Sequence, residues 1–437
     1  MTGRRWPKCW KPWGCAKRWE RARKQPCRWS RRPDSNGDLA LEKRLAWLST
    51  IILRDARDRI GTNGHLPALG GTRVAASGTI SLDAMEGSPC DTTLRWTACE
   101  PALDGLRAIA VVLVLAFHAR LFGGFGGFFG VDVFFVLSGY LITRILAEQH
   151  ATTGSLRIGT FYVRRLRRLY PALLLLLAVY LAAAPWVFPE HANHLRDAAV
   201  AGLYLSDYGF ALWRLPWYLQ HTWSLSVEEH FYLVWPMVLM VVFRLPRHWW
   251  APAVLLLAIA ATLWRWHVAL NDDAWYQPYY RFDTRLSGIL LGAAAGLWNP
   301  SVPKAAAPMG ALLLGIAVTQ AHVKEMAALT SWMAMAEIGA ALLVLGAHHV
   351  RALRWTPLVW VGKLSYGIYL WHFPIMYWLR GQDIAGWSSM LIGSGAAALC
   401  AAVSYYTVER FSRSGRAHTA GTARVDQVGT LGRDTGT

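Results

Sequence analysis

The sequence predicts an all-α, polytopic integral membrane protein, a helix bundle of about 10 transmembrane helices. Three observations carry this expectation. The chain is 54% hydrophobic and only 16% charged, the balance of a multi-pass membrane protein rather than a soluble enzyme. Runs of about 20 mostly apolar residues, enough to cross ~30 Å of hydrocarbon, recur from residue 104 onward. Arginine clusters lie in short segments between those runs, where the positive-inside rule puts cytoplasmic loops.

Taken in order, residues 1–100 are a basic extension. Met1–Arg32 is rich in Arg, Lys and Trp, with no apolar run of signal-peptide length behind it. Leu39–Ile60 reads as an amphipathic helix, and Gly61–Gly87 shows no period. This head is expected to be disordered or an upstream extension, in preference to a basic arm on anionic lipid. Met85 is then an alternative start, and residues 1–84 are expected to be dispensable.

Residues 101–410 form the membrane domain. Spans are expected near 104–122, 128–147, 169–188, 223–243, 249–268, 284–298, 306–322, 331–349, 358–379 and 386–408. The run 198–213 is short and contains Asp207 and Tyr208. If it does not cross, Arg164/Arg165/Arg167/Arg168, Arg244/Arg247, Arg351/Arg354 and Arg410/Arg413/Arg416 all share one side. That arrangement gives ten spans, with both termini cytoplasmic and 198–213 outer or re-entrant. Residues 411–437 are a polar tail.

The net charge of +18 raises nucleic acid as a partner in a soluble protein. Here the basic residues sit in the head and the loops, so the expected partner is the lipid bilayer and no nucleic acid. Of six cysteines, five precede the first span and none forms a C-x-x-C pair, so no metal site or disulfide framework is expected.

Four segments carry chemistry. In the first span, Arg107 and His118 are eleven residues apart. At ~100° per residue they return to within ~20° of one another, so they share a face about three turns apart. Asp104 stands one turn before Arg107. Ionisable groups in an otherwise apolar span face a bundle interior or a watery cavity, and a neutral histidine there is a competent general base. Second, Arg164, Arg165, Arg167 and Arg168 make two interleaved R-x-x-R pairs before the third span. Their forked donors suit phosphate oxygens, such as those of a coenzyme A thioester, and they also serve as a topology anchor. Third, the glycine-rich Gly123–Gly130 leads to Asp132, a candidate helix cap or functional carboxylate, and on to Ser138. Fourth, His221–Tyr232 holds Glu228 and Glu229 in the opening turns of a span. There they suit the helix dipole, the orientation of a histidine, or a sugar hydroxyl. Trp223 and Tyr232 read equally as interfacial belt residues.

Together these segments, with the late Leu364–His372, resemble the membrane-bound acyltransferase family 3, bacterial O-acyltransferases of cell-surface glycans. The resemblance covers about residues 102–410. It implies a multi-pass enzyme of the bacterial inner membrane. Such an enzyme transfers an acyl group, commonly acetyl, from acyl-CoA as co-substrate to a hydroxyl of a glycan or glycolipid, with no tightly bound cofactor. By matching positions it assigns Arg107 and His118 to the essential pair and Arg164–Arg168 to the donor side. Glu228 matches the acidic position after Trp-Ser-Leu, and His372 lies in the late motif. His230 replaces the glutamine usual in the family, and Phe411 the proline usual after Val-Glu-Arg. Some members carry a C-terminal hydrolase-like domain. Only 27 residues follow Arg410 here, without G-x-S-x-G, so transfer is expected within the membrane domain or through a separate partner. The rival readings are the same chemistry on a macrolide or other small-molecule hydroxyl, and a transporter. Transporters also hold intramembrane Arg and His but commonly show internal repeats, and none is found here.

Overall fold

The computed structural model describes residues 100–121, 126–191, 193–272, 274–322 and 324–409. The head before residue 100, most of Gly123–Gly130's first half, the Arg410/Arg413/Arg416 cluster and the 411–437 tail lie outside the described residues.

Ten helices follow the ten expected runs: α1 (Pro101–His118), α2 (Gly130–Thr153), α3 (Ile158–Val187), α6 (Trp223–Val242), α7 (Trp250–Asn271), α9 (Phe282–Trp298), α10 (Ala306–Gln320), α11 (Met333–Gly346), α12 (Thr356–Gly381) and α13 (Gly386–Ser404). Between them lie the short α4 (His194–Gly202), α5 (Ser206–Trp213) and α8 (Tyr276–Tyr280). No strand occurs among the described residues. The molecule is a polytopic helical membrane protein. Among the described residues, seven segments, including α1, α2, α3, α6, α7 and α13, are long and apolar enough to cross a membrane. Of the other long helices, α9 and α10 have 17 and 15 residues, and the 26-residue α12 carries Lys363 and Arg380. The run 198–213 is broken into α4 and α5, of 9 and 8 residues. At ~1.5 Å per residue neither approaches the ~30 Å of a crossing.

Lipid tails are as apolar as leucine, so helices in a bilayer associate through close packing at small residues. Gly139 of α2 lies against the Ile289 carbonyl of α9, and Gly292 of α9 against the Val136 carbonyl of α2. A Cβ at either position would overlap backbone. The large residues turned outward, among them Leu256 and Leu263 of α7 and Leu391 and Leu399 of α13, are exposed, as a lipid-facing surface requires. Exposed tryptophans mark helix ends: Trp186, Trp249, Trp298, Trp355 and Trp387, the pattern of an interfacial aromatic belt.

Two ion pairs are sealed inside the bundle. Arg285 of α9 meets Asp132 of α2 at 2.9 Å, with both side chains 1% exposed. Arg265 of α7 meets Glu337 of α11 at 2.6 Å, and Ser287 of α9 donates to the same carboxylate. Asp132 therefore does not cap α2, which has no side-chain cap. Its carboxylate is turned inward because Arg285 needs a counter-charge in an apolar interior.

Candidate active site

The candidate residues gather at two levels of the bundle. One level lies toward the start of α1 and the other at its finish. α1 and α6 contribute to both.

At the first level Arg107 pairs with Asp104 at 2.6 Å across one helical turn. Glu228 of α6 accepts a short hydrogen bond from Ser138 of α2 and lies within electrostatic reach of Arg165, Arg107 and Arg168. The Arg165 guanidinium stacks over the Tyr232 ring, 3.8 Å from its centroid, and is also reached by the Glu229 charge. Helical spacing explains the selection. Arg165 is half-buried against α6, and Arg168, one turn further on the same face, is exposed like Arg164 and Arg167 but lies within electrostatic reach of Glu228. One of the two R-x-x-R pairs, Arg165 and Arg168, thus reaches the Glu228 charge.

At the second level three imidazoles converge. The rings of His118 and His372 lie 5.1 Å apart, and those of His221 and His372 5.5 Å. Phe373 packs edge-on to His118 and stacks on His221. The His372 Nδ1 contacts the Tyr369 carbonyl at 2.6 Å, and the His221 Nε2 contacts the Leu370 carbonyl at 3.0 Å. A carbonyl only accepts, so those nitrogens carry the proton of the neutral ring. The opposite nitrogens, His372 Nε2 and His221 Nδ1, are buried without a partner and hold free lone pairs. The His118 ring makes no hydrogen bond among the described residues. Its backbone carbonyl accepts one from Arg380 at 3.0 Å, which fixes the end of α1.

His118 and His221 open onto a cavity of about 500 Å³ walled by Trp223, Tyr279, Tyr280 and Tyr369. Trp223 thus lines the cavity, with its ring 5.2 Å from those of both Tyr279 and Tyr280. Burial holds the Tyr279 phenol well above its ordinary range, so it presents a neutral hydroxyl. The two levels are joined through Tyr369, whose hydroxyl bonds Ser224 at 2.6 Å and the His221 carbonyl at 3.0 Å and feels the Glu228 charge. No cluster of three metal-ligating side chains occurs among the described residues.

Asp132 belongs to neither level. Its partner Arg285 sits behind the cavity wall, with its guanidinium 5.3 Å from the Trp223 ring and 5.1 Å from that of Tyr279. Sequence reasoning did not single out His221, Tyr369, Arg380 or the buried Arg265, Arg285 and Glu337. The last three were visible as ionisable residues inside apolar runs. His221 stood in a quoted motif, two residues before Trp223.

A multi-pass bundle holding a histidine cavity above a carboxylate–arginine cluster is the architecture of a membrane-embedded group-transfer protein. The chain belongs to the family described as acyltransferase domain (acyltransferase family 3), whose model matches residues 100–409. Among curated proteins it is similar to the peptidoglycan O-acetyltransferase OatA of Listeria monocytogenes, at 34% identity over 308 residues, 63% of this chain and 49% of that one. It is likewise similar to the putative peptidoglycan O-acetyltransferase YrhL of Bacillus subtilis, at 34% over 315 residues, 63% and 48%. A putative O-acetyltransferase of Staphylococcus aureus, SACOL0978, shares 29% over 321 residues, 65% and 52%. The chain spans about half the length of these relatives. No solved structure matches it.

Proposed function

We propose that the protein is a membrane O-acyltransferase that moves an acetyl group from acetyl-CoA to a hydroxyl of a cell-wall or other surface glycan, in the bacterial inner membrane. The observation that carries this reading is the His118 ring, without a hydrogen bond among the described residues and facing a cavity, on the same helix as an arginine held beside half-buried carboxylates. In this reading the start of α1 is cytoplasmic. The coenzyme A phosphates rest on Arg165 and Arg168, where forked guanidinium groups suit phosphate oxygens. Arg107, kept in place by Asp104, supplies further charge to the donor phosphates, and Glu228 with Ser138 fixes the arginine side chains. His118 takes the proton of the acceptor hydroxyl as that oxygen attacks the thioester carbonyl carbon. The C–S bond breaks, and the proton passes from His118 to the leaving thiolate, so an ester and free coenzyme A result. Glycan acceptance is favoured over a macrolide by the names of two relatives, the peptidoglycan O-acetyltransferase OatA and the putative peptidoglycan O-acetyltransferase YrhL. The test is release of coenzyme A thiol and transfer of radiolabelled acetyl by the purified full chain in detergent, with glycan fragments as acceptors. Acetyl-CoA consumed in step with acceptor acetylation supports the reading. An absence of acetyl transfer to any hydroxyl acceptor overturns it.

A further inference from the structure

The described charged residues that line the histidine cavity are all of one sign. Arg120, Lys324 and Arg380 line it, and among its described lining residues no Asp or Glu stands against them. The three cations come from different places: Arg120 from the turn after α1, Lys324 from the connection after α10, Arg380 from the end of α12. Arg120 is held there by the backbone. Its neighbour Ala119 accepts a hydrogen bond from Gly386 N–H at 2.8 Å, tying the end of α1 to the start of α13. Arg380 is anchored on the His118 carbonyl and feels the Arg120 charge. Like charges gathered without a counter-charge repel each other. An ordinary protein surface intersperses both signs, whereas a site for an anion concentrates one.

The remaining wall is aromatic. Trp223, Trp275, Tyr279 and Tyr280 face the same space. Flat aromatic faces backed by a few convergent polar groups are what a small polar ligand of mixed character needs. Apolar faces of a saccharide ring rest on the aromatics, and an anionic substituent reaches the cations.

We propose that this cavity is an acceptor subsite for an anionic saccharide, one bearing a carboxylate or a phosphate, which is held by Arg120 and Lys324 so that a hydroxyl reaches His118. This rests on the acyltransferase reading above and adds the substrate class. Arg380 positions His118 through its carbonyl and contributes charge, whereas Arg120 and Lys324 touch only the acceptor. Both of these side chains are exposed, so replacing them leaves the packed bundle intact.

The experiment measures equilibrium binding of three radiolabelled probes to the detergent-solubilised full chain: methyl α-glucuronide, methyl α-glucoside and glucose 1-phosphate. The expected result is that at least one of the two anionic probes binds about tenfold or more tightly than the glucoside, a difference of about 1.4 kcal/mol. Which of the two it is separates a carboxylate-bearing from a phosphate-bearing acceptor. The double variant Arg120→Gln/Lys324→Gln should erase the preference while leaving acetyl-CoA affinity unchanged. Equal binding of all three probes, or no binding of any, overturns the proposal. So does a double variant that loses acetyl-CoA affinity, because the cations would then serve the donor's phosphates. Failure of the acyltransferase reading looks different: the anionic preference persists, but no acetyl group reaches any acceptor.

Discussion

Replacing His118 with Gln separates chemistry from packing at the centre of the site. The ring touches Phe117, Phe373 and His372 at centroid distances of 5.1 Å each and makes no side-chain hydrogen bond among the described residues. Substitution therefore leaves no buried donor or acceptor stranded, and the usual cost of an orphaned polar group does not arise. A glutamine amide fills a similar volume beside the cavity. Stability and membrane insertion should stay close to those of the parent. Glutamine cannot take up a proton at neutral pH, and a positioned base contributes roughly 10²–10⁴ in rate. The barrier should therefore rise by about 2.7–5.5 kcal/mol. The assay is radiolabelled acetyl transfer by purified protein, with folded yield matched by size-exclusion profile. A fall of about 10²-fold or more with an unchanged melting profile is expected. Turnover within about tenfold of the parent would refute the role of His118 and leave His372, whose Nε2 is buried without a partner, as the base to test next.

Other expectations follow from the same geometry. Asp132→Asn strands the sealed Arg285 charge and should cost about 3–5 kcal/mol, read as a lowered melting temperature, whereas Asp132→Asn/Arg285→Met should recover most of it. Recovery without transfer activity would show instead that the pair serves the cavity wall and not only the fold. Arg165→Ala/Arg168→Ala should weaken acetyl-CoA binding by about tenfold or more, since each charge-assisted contact contributes about 1.5–3 kcal/mol. Arg164→Ala/Arg167→Ala should change it far less. Equal losses in the two doubles would contradict the assignment of one face of α3 to the donor. Gly292→Leu should prevent α2 and α9 from closing, because even a Cβ there meets the Val136 carbonyl. Folded yield in detergent checks this.

The helices were legible because long apolar runs are a strong signal: each of the ten expected runs has a helix over it, and seven of the described segments are long and apolar enough to cross a membrane. Charge bias legibly demoted 198–213, which is two short helices. The Arg107–His118 spacing was legible too, since it depends only on helical geometry within one segment. What escaped was long-range pairing. Arg265 and Glu337 are 72 residues apart, and Asp132 and Arg285 are 153 apart. No local pattern says which buried charge will answer which. The two R-x-x-R pairs looked equivalent for the same reason. Only the packing of α3 on its neighbours sets Arg165 over Tyr232 and leaves Arg164 exposed. His221 was obscured by its neighbours: a histidine beside Trp223 at a helix start reads as an interfacial residue until His372 is brought to it.

The two levels of the site follow from helix arithmetic repeated on three helices. On α1, eleven residues separate Arg107 from His118, about 16 Å of rise. Glu228 follows His221 by seven residues, from the short 3-10 turn before α6 into its second turn. On α12, Tyr369 precedes His372 by one turn and carries the hydrogen bonds that connect the levels. A donor whose phosphates rest at the lower level needs a long arm to present its thioester at the upper one, and the pantetheine chain of coenzyme A is such an arm. The separation also keeps the Arg107 charge about three turns from the His118 ring. Moving either group by two residues along its helix would rotate it ~200° away from the shared interior. The spacing therefore matters as much as the identity of either residue: it holds Arg107 and His118 on one face, and under the proposed reading it sets the distance an extended donor must bridge.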